Sequence, residues 1–159
     1  MRILPKSDQK HYFNAMIVYT SKRKISIMDK YPIPGVGAVI IHNNSILLVK
    51  RANEPYKNEW SIPGGKVKWG ETLQQAAERE IFEETNIVIK AKEPVYQFEI
   101  IDHNNCQFHY VVIDLLATYI RGKPKANSDA KEVKWINLEN LNDYNINHET
   151  LKLIYRLEI

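Results

Sequence analysis

Gly65 to Ile87 reads GKVKWGETLQQAAEREIFEETNI, and the expected fold turns on it. Glu80, Glu83 and Glu84 stand at i, i+3 and i+4, which places them on one face of a helix. Thr72 followed by Gln75 has the form of a capping box, so the helix is expected to start near Leu73. Asn86 is expected to end it, because Asn tolerates the left-handed conformation better than most residues. At about 100° per residue, Leu73, Ala76, Ala77 and Ile81 form an apolar stripe. The stripe continues onto Glu80 and Glu84, with Glu83 on its flank. Acids therefore hold positions where a core-facing stripe calls for apolar side chains.

An acidic helix face is most often just solvated. These acids fall on the buried side, where an unpaired carboxylate is costly or shifts its pKa. A cation relieves both the burial and the mutual repulsion, and hard oxygen donors select Mg²⁺, Mn²⁺ or Ca²⁺. Arg79 is placed to orient one of the acids, and Glu71 to reach back toward Arg79. Gly64 and Gly65, after Pro63, mark a tight turn that requires either positive φ or a close approach of backbone.

Working outward, Val36–Ile41 and Ser45–Arg51 are apolar, β-branched runs separated by His42-Asn43-Asn44, and they predict a hairpin. Trp60-Ser61-Ile62 predicts a short strand. Pro94–Asp102 and Gln107–Arg121 predict two long strands, and Glu132–Ile136 a last one. His148–Leu157 predicts a closing amphipathic helix with Leu151, Ile154, Tyr155 and Ile159 on its buried side. Strands mixed with two helices give an α/β (α+β) arrangement, a sheet covered by helices.

Read as G-x5-E-x7-R-E-I-x-E-E-x-N-I, the stretch from Gly65 to Ile87 resembles the Nudix box of the Nudix hydrolase family. The lead-in LLVKR…WSIPGGKV is similar as well, so the likeness runs from Val36 to Ile87 and more loosely to Trp135; residues 1–30 lie outside it. Asn86 departs from the pattern, which usually has glycine there, and a modest stability cost is expected.

The resemblance implies one Nudix domain with a mixed sheet between helices and a loop-helix-loop that holds divalent metal. Mg²⁺ is the cofactor it implies, with Mn²⁺ able to replace it. The implied activity is hydrolysis of the diphosphate bond of a nucleoside diphosphate linked to another group. Matched residue by residue, Glu80, Glu83 and Glu84 are the metal ligands, and Gly65 lets backbone approach a metal or phosphate oxygen. Arg79 and Glu71 are the orienting pair. The base is Glu80 or a loop acid, for which Asp129 and Glu132 are the candidates. Arg51, Gly64, Gly65, Asp129 and Glu132 are the expected substrate contacts, Arg51 through a phosphate. Tyr56 could stack on a base; Trp60 is expected to be packed. The sides of His109 and Tyr110 are left open.

The layout around the box is similar to the ADP-ribose pyrophosphatase-like branch, with some likeness to GDP-sugar hydrolases such as those acting on GDP-mannose. A MutT-like nucleoside triphosphate pyrophosphohydrolase and a non-catalytic nucleotide-binding module are the alternatives.

With 159 residues and 44% hydrophobic content, the chain can bury one sizeable core. A net charge of +3, without a basic stripe interleaved with aromatics, argues against a nucleic-acid partner and fits a small anionic substrate. The lone Cys106 excludes an internal disulfide. The cluster Lys22-Arg23-Lys24 is expected to be a solvated turn. No signal peptide or membrane span is read, so a cytoplasmic protein is expected. A homodimer, with residues 1–30 contributing a swapped element, is compatible with the sequence.

Overall fold

The structure, a computed structural model, describes residues 31–103, 105, 107–127 and 129–159. The expectations for residues 1–30, for Lys22-Arg23-Lys24 and for Cys106 lie outside the described residues.

Period-2 alternation builds a sheet with two buried faces. Strand β1 (Ile33–His42) turns through Asn43 and Asn44, both at positive φ, into β2 (Ser45–Arg51). Two short strands follow, β3 (Trp60–Ser61) and β4 (Gly64–Lys66). After helix α1 (Leu73–Thr85) come β5 (Ile87–Ile101), β6 (His109–Gly122) and β7 (Ala130–Asn137). A 3₁₀ turn (Leu138–Asp143) and helix α2 (His148–Arg156) close the chain. The sheet order is β3-β2-β1-β6-β5, with β4 on β1 and β7 on β2. β1 is antiparallel to β2 and β4 and parallel to β6, so the sheet is mixed. Val36, Ala38, Ile40 and Leu47 pack with Ala76, Ala77 and Ile81 of α1. The alternate residues Val39, Ile46 and Leu48 pack with Leu153 and Ile154 of α2. The expected sheet between helices is the observed one.

α1 begins and ends where its sequence signals stand. Thr72 Oγ1 accepts from the Gln75 amide at 3.2 Å, and the Gln75 side chain accepts from the Thr72 amide at 2.9 Å. Asn86 sits at φ 60° and ψ 19°, and its amide donates to the Phe82 carbonyl. Removing the cap in Thr72→Ala should cost about 1 kcal/mol and lower Tm by roughly 3 °C in a thermal melt.

Two expectations need correction, and an alternative left open at Gly64 and Gly65 is decided. β5 starts at Ile87 rather than Pro94: Ile87, Ile89 and Ala91 alternate into the core, and Pro94 sits at a register irregularity, where a missing amide donor is tolerated. In α2 the cap Asn147, accepting from the Thr150 amide at 2.8 Å, sets the phase so that Thr150, Leu153 and Ile154 turn inward; Tyr155 is 74% exposed. Gly64 and Gly65 do not adopt positive φ, which among the described glycines belongs to Gly70 and Gly122. Both are there for close approach. A Cβ on Gly64 would overlap the Val36 carbonyl, and one on Gly65 would overlap the Glu80 carboxylate. Among the described residues, no helix is long and apolar enough to cross a membrane.

Candidate active site

β4 lies across the inner side of α1, and its two glycines bring backbone against two of the helix acids. Glu84 Oε2 accepts the Gly64 amide at 3.0 Å. The Glu80 carboxylate fills the space that a side chain at position 65 would occupy. Arg79 is the hub of the remaining acids. Its Nε and Nη2 donate to the two Glu71 oxygens at 2.6 and 2.7 Å, a bidentate pair. Its Nη1 donates to Glu80 at 2.6 Å and Glu83 at 3.2 Å, and Nη2 also reaches the Lys66 carbonyl at 3.1 Å. The guanidinium holds the Glu71 carboxyl well below the usual carboxylate range. Arg79 and Glu71 thus form one fixed unit that orients Glu80, tying the loop before the helix to the helix itself.

Glu84 is 7% exposed and forms no ion pair among the described residues. Burial pushes its carboxyl up to about 7; the Gly64 hydrogen bond and Arg51 oppose this, while Glu80 and Asp129 add to it. Among the described residues, no three His, Cys, Asp or Glu side chains are drawn together as metal ligands, because Arg79 holds Glu80 and Glu83 to itself. The donor set nevertheless fits a divalent cation. It is made of carboxylates, hard ligands for Mg²⁺ or Mn²⁺. Glu80 Oε2 and Glu84 Oε1 accept no hydrogen bond among the described residues, and the buried acid lacks the counter-charge that a cation would supply.

Glu80 and Glu84 line a cavity of about 620 Å³ that also takes in Arg51, Gly64, Gly65 and Asp129. Arg51 Nε donates to the Pro55 carbonyl at 2.6 Å, which fixes its reach into this space. Glu83 is at the exposed edge, tied to Arg79 and 3.9 Å from Lys68 Nζ. Glu132 is not brought in: it stands opposite Lys50 on β7 and pairs with Lys50 at 3.0 Å and Lys134 at 3.1 Å. Trp60 is packed edge-on against Tyr144, as expected, while Tyr56 lines the cavity. Tyr110 faces it too, with Lys66 Nζ 5.9 Å from the ring centre.

Sequence reasoning passed over Phe98, Lys66 and Asp114, which also line the cavity. Only Asp114 carried a legible signal, an acid in the middle of the apolar run VVIDLLA.

The NUDIX domain model matches residues 32–157. An ADP-ribose pyrophosphatase of Methanocaldococcus jannaschii is 36% identical over 121 residues, 76% of this chain and 71% of the relative. Among solved structures, a MutT NUDIX hydrolase from Burkholderia pseudomallei matches with a TM-score of 0.72 at 31% identity, over 80% of this chain and 99% of that one. A bifunctional NMN adenylyltransferase/ADP ribose pyrophosphatase from Francisella tularensis, complexed with AMP and a Mn ion, matches with a TM-score of 0.70 at 27% identity, over 91% of this chain and 46% of that one. The family generally uses divalent metals. The chain belongs to the Nudix hydrolase family and is a hydrolase of pyrophosphate bonds.

Proposed function

We propose that this enzyme hydrolyses the diphosphate bond of a nucleoside diphosphate joined to a second group, with ADP-ribose as the first candidate, using Mg²⁺ held by Glu80, Glu83 and Glu84. The observation that carries this reading is one cavity that joins three kinds of wall. It is lined by the acids Glu80, Glu84 and Asp129, by the cations Arg51 and Lys66, and by the rings of Tyr56, Phe98 and Tyr110. A diphosphate needs the first two and a nucleoside the third. The volume is in the range that holds small-molecule ligands.

When bound, Mg²⁺ neutralises phosphate charge and makes water a better nucleophile. The rest falls to the chain's own side chains. Arg51 offers a cation to a phosphate oxygen. The Arg79–Glu71 unit keeps Glu80 aimed at the Gly65 backbone. Glu80 and Asp129 are the acids placed to take the proton from water, since Glu132 is held by two lysines outside the cavity. The Methanocaldococcus relative supports ADP-ribose as substrate, and the Mn-bound Francisella structure supports a divalent ion. We propose further that the catalytic unit is a single domain that works in the cytoplasm.

A second reading, pyrophosphate release from a nucleoside triphosphate, is favoured by the likeness to the Burkholderia MutT protein. Chromatography of the products separates the two. ADP-ribose converted to AMP and ribose 5-phosphate supports the first. Nucleoside triphosphates converted to monophosphate and pyrophosphate, with ADP-ribose left intact, replace it with the second.

A further inference from the structure

Asp114 takes no part in the chemistry above, yet the fold makes room for it at a cost. It lies in the middle of β6, a central strand, and is 4% exposed. No donor among the described residues bonds to its carboxyl, although it lines the cavity. In the parallel register of β1 and β6 it stands beside Gly37, and a Cβ at position 37 would overlap Asp114 Oδ1. A glycine inside a buried strand weakens it, and here the missing side chain is the space the carboxyl occupies. The charge that acts on Asp114 is another acid, Glu149, and burial first, then Glu149, push its carboxyl up to about 7.

A second polar atom is stranded nearby in the fold. Ser61 Oγ is buried without a hydrogen-bond partner, and Ser61 lines the same cavity. Ser61 Oγ has given up water without gaining a protein partner, and the Asp114 carboxyl lines the same cavity with no donor among the described residues, so the two point to a ligand that supplies the missing hydrogen bonds. That ligand must bring N–H donors to Asp114, and a flat one can lie against the rings of Phe98 and Tyr110, which line the same cavity.

We infer that Asp114, with Ser61, forms the subsite that hydrogen-bonds the amino-bearing edge of a nucleobase, so that this pair rather than the acids of α1 selects the base of the substrate. The inference rests on the proposed nucleotide substrate and adds which part of the nucleotide is recognised, and by what. Ionised, as it is at pH 8, the carboxylate accepts from an exocyclic amine; it repels the carbonyl that replaces the amine of adenine or cytosine, and finds no donor where hydrogen replaces the amine of guanine. Sites built around a buried polar group reject the analogue that cannot pair with it.

The test uses nucleoside monophosphates in matched pairs, so it does not depend on turnover. Dissociation constants are measured calorimetrically in Mg²⁺ for AMP, GMP and IMP, and for CMP and UMP, with the wild type, Asp114→Asn and Asp114→Leu. In the wild type the amine-bearing member of at least one pair should bind about tenfold tighter or more. The AMP/IMP, GMP/IMP and CMP/UMP ratios report whether the amine is that of adenine, guanine or cytosine. In Asp114→Leu the preference should fall to about one. Both variants should melt at or above the wild-type temperature, because they remove a buried, unpartnered carboxyl. A wild type with no preference in any pair, or a preference that survives in both variants, overturns the inference. Absence of ADP-ribose hydrolysis by the same wild-type preparation would count against the proposed reaction and leave the base ratios to stand or fall alone.

Discussion

Glu84→Gln is expected to lose Mg²⁺-dependent turnover by at least about a hundredfold and, in metal-free buffer, to be more stable than the wild type at pH 8. The activity loss is expected because the substitution removes an oxygen of a proposed metal ligand; partners one shell further out from a metal already cost about 10–100-fold. The stability gain follows from the burial of Glu84. Its folded-state carboxyl is pushed up to about 7, against an ordinary value of 4.5. Between those values the folded state binds the proton more tightly than the unfolded chain, so wild-type stability falls as pH rises through that window and is level above it. The full shift corresponds to an upper limit of about 3 kcal/mol. Glutamine is neutral throughout and keeps an oxygen for the Gly64 amide. Thermal melts in EDTA should therefore coincide near pH 4.5 and separate by pH 8, with the variant higher. A variant that melts lower at pH 8 would mean that the Glu84 charge is compensated in the folded protein without metal.

The largest effect on stability is expected from Gly64→Ala. Position 64 pairs with Gly37 across β4 and β1. A Cβ there overlaps the Val36 carbonyl and lies 2.7 Å from the Gly37 Cα. Both are backbone atoms of a central strand, so neither can swing aside as a side chain tip would. Separating the strands to admit the methyl should cost about 3 kcal/mol and lower Tm by roughly 10 °C. It also pulls the Gly64 amide away from Glu84, so the remaining folded protein should turn over more slowly. Gly70→Ala makes the comparison: its Cβ meets nothing within 4 Å, and only the φ of +85° is strained. Its cost should be about 1 kcal/mol. Melts of the two variants side by side check the ordering.

The parts of the fold legible in the sequence are those written in local chemistry. Thr72, Gln75 and Asn86 each act on backbone within one turn of themselves, and the helix ends where they stand. The acids on the apolar stripe of α1 were legible for the same reason: a helical period turns spacing into a shared face, and Glu84 is indeed buried there. What escaped was decided by pairings distant in sequence. Glu132 and Asp129 look alike in a polar stretch, but the register of β7 on β2 sets Glu132 opposite Lys50 and leaves Asp129 at the cavity. Tyr155 was placed inside because its helix was phased from the apolar residues alone, whereas the cap at Asn147 sets the rotation. Gly64 and Gly65 were recognised as sites of special backbone. Which backbone they approach depends on the β4–β1 pairing and on Glu80 from the helix, and neither is visible in a proline followed by two glycines.

The central claim is that carboxylates of α1 hold a divalent ion that makes the diphosphate bond hydrolysable. It is tested most directly by stripping the wild-type protein with EDTA, removing the chelator and following ADP-ribose hydrolysis by ³¹P NMR as Mg²⁺ is added back. The account predicts no reaction before addition, then a saturable rise in rate with AMP and ribose 5-phosphate as the products. Hydrolysis at full rate without metal, or a folded protein that binds Mg²⁺ and ADP-ribose together and leaves the diphosphate intact, would contradict it.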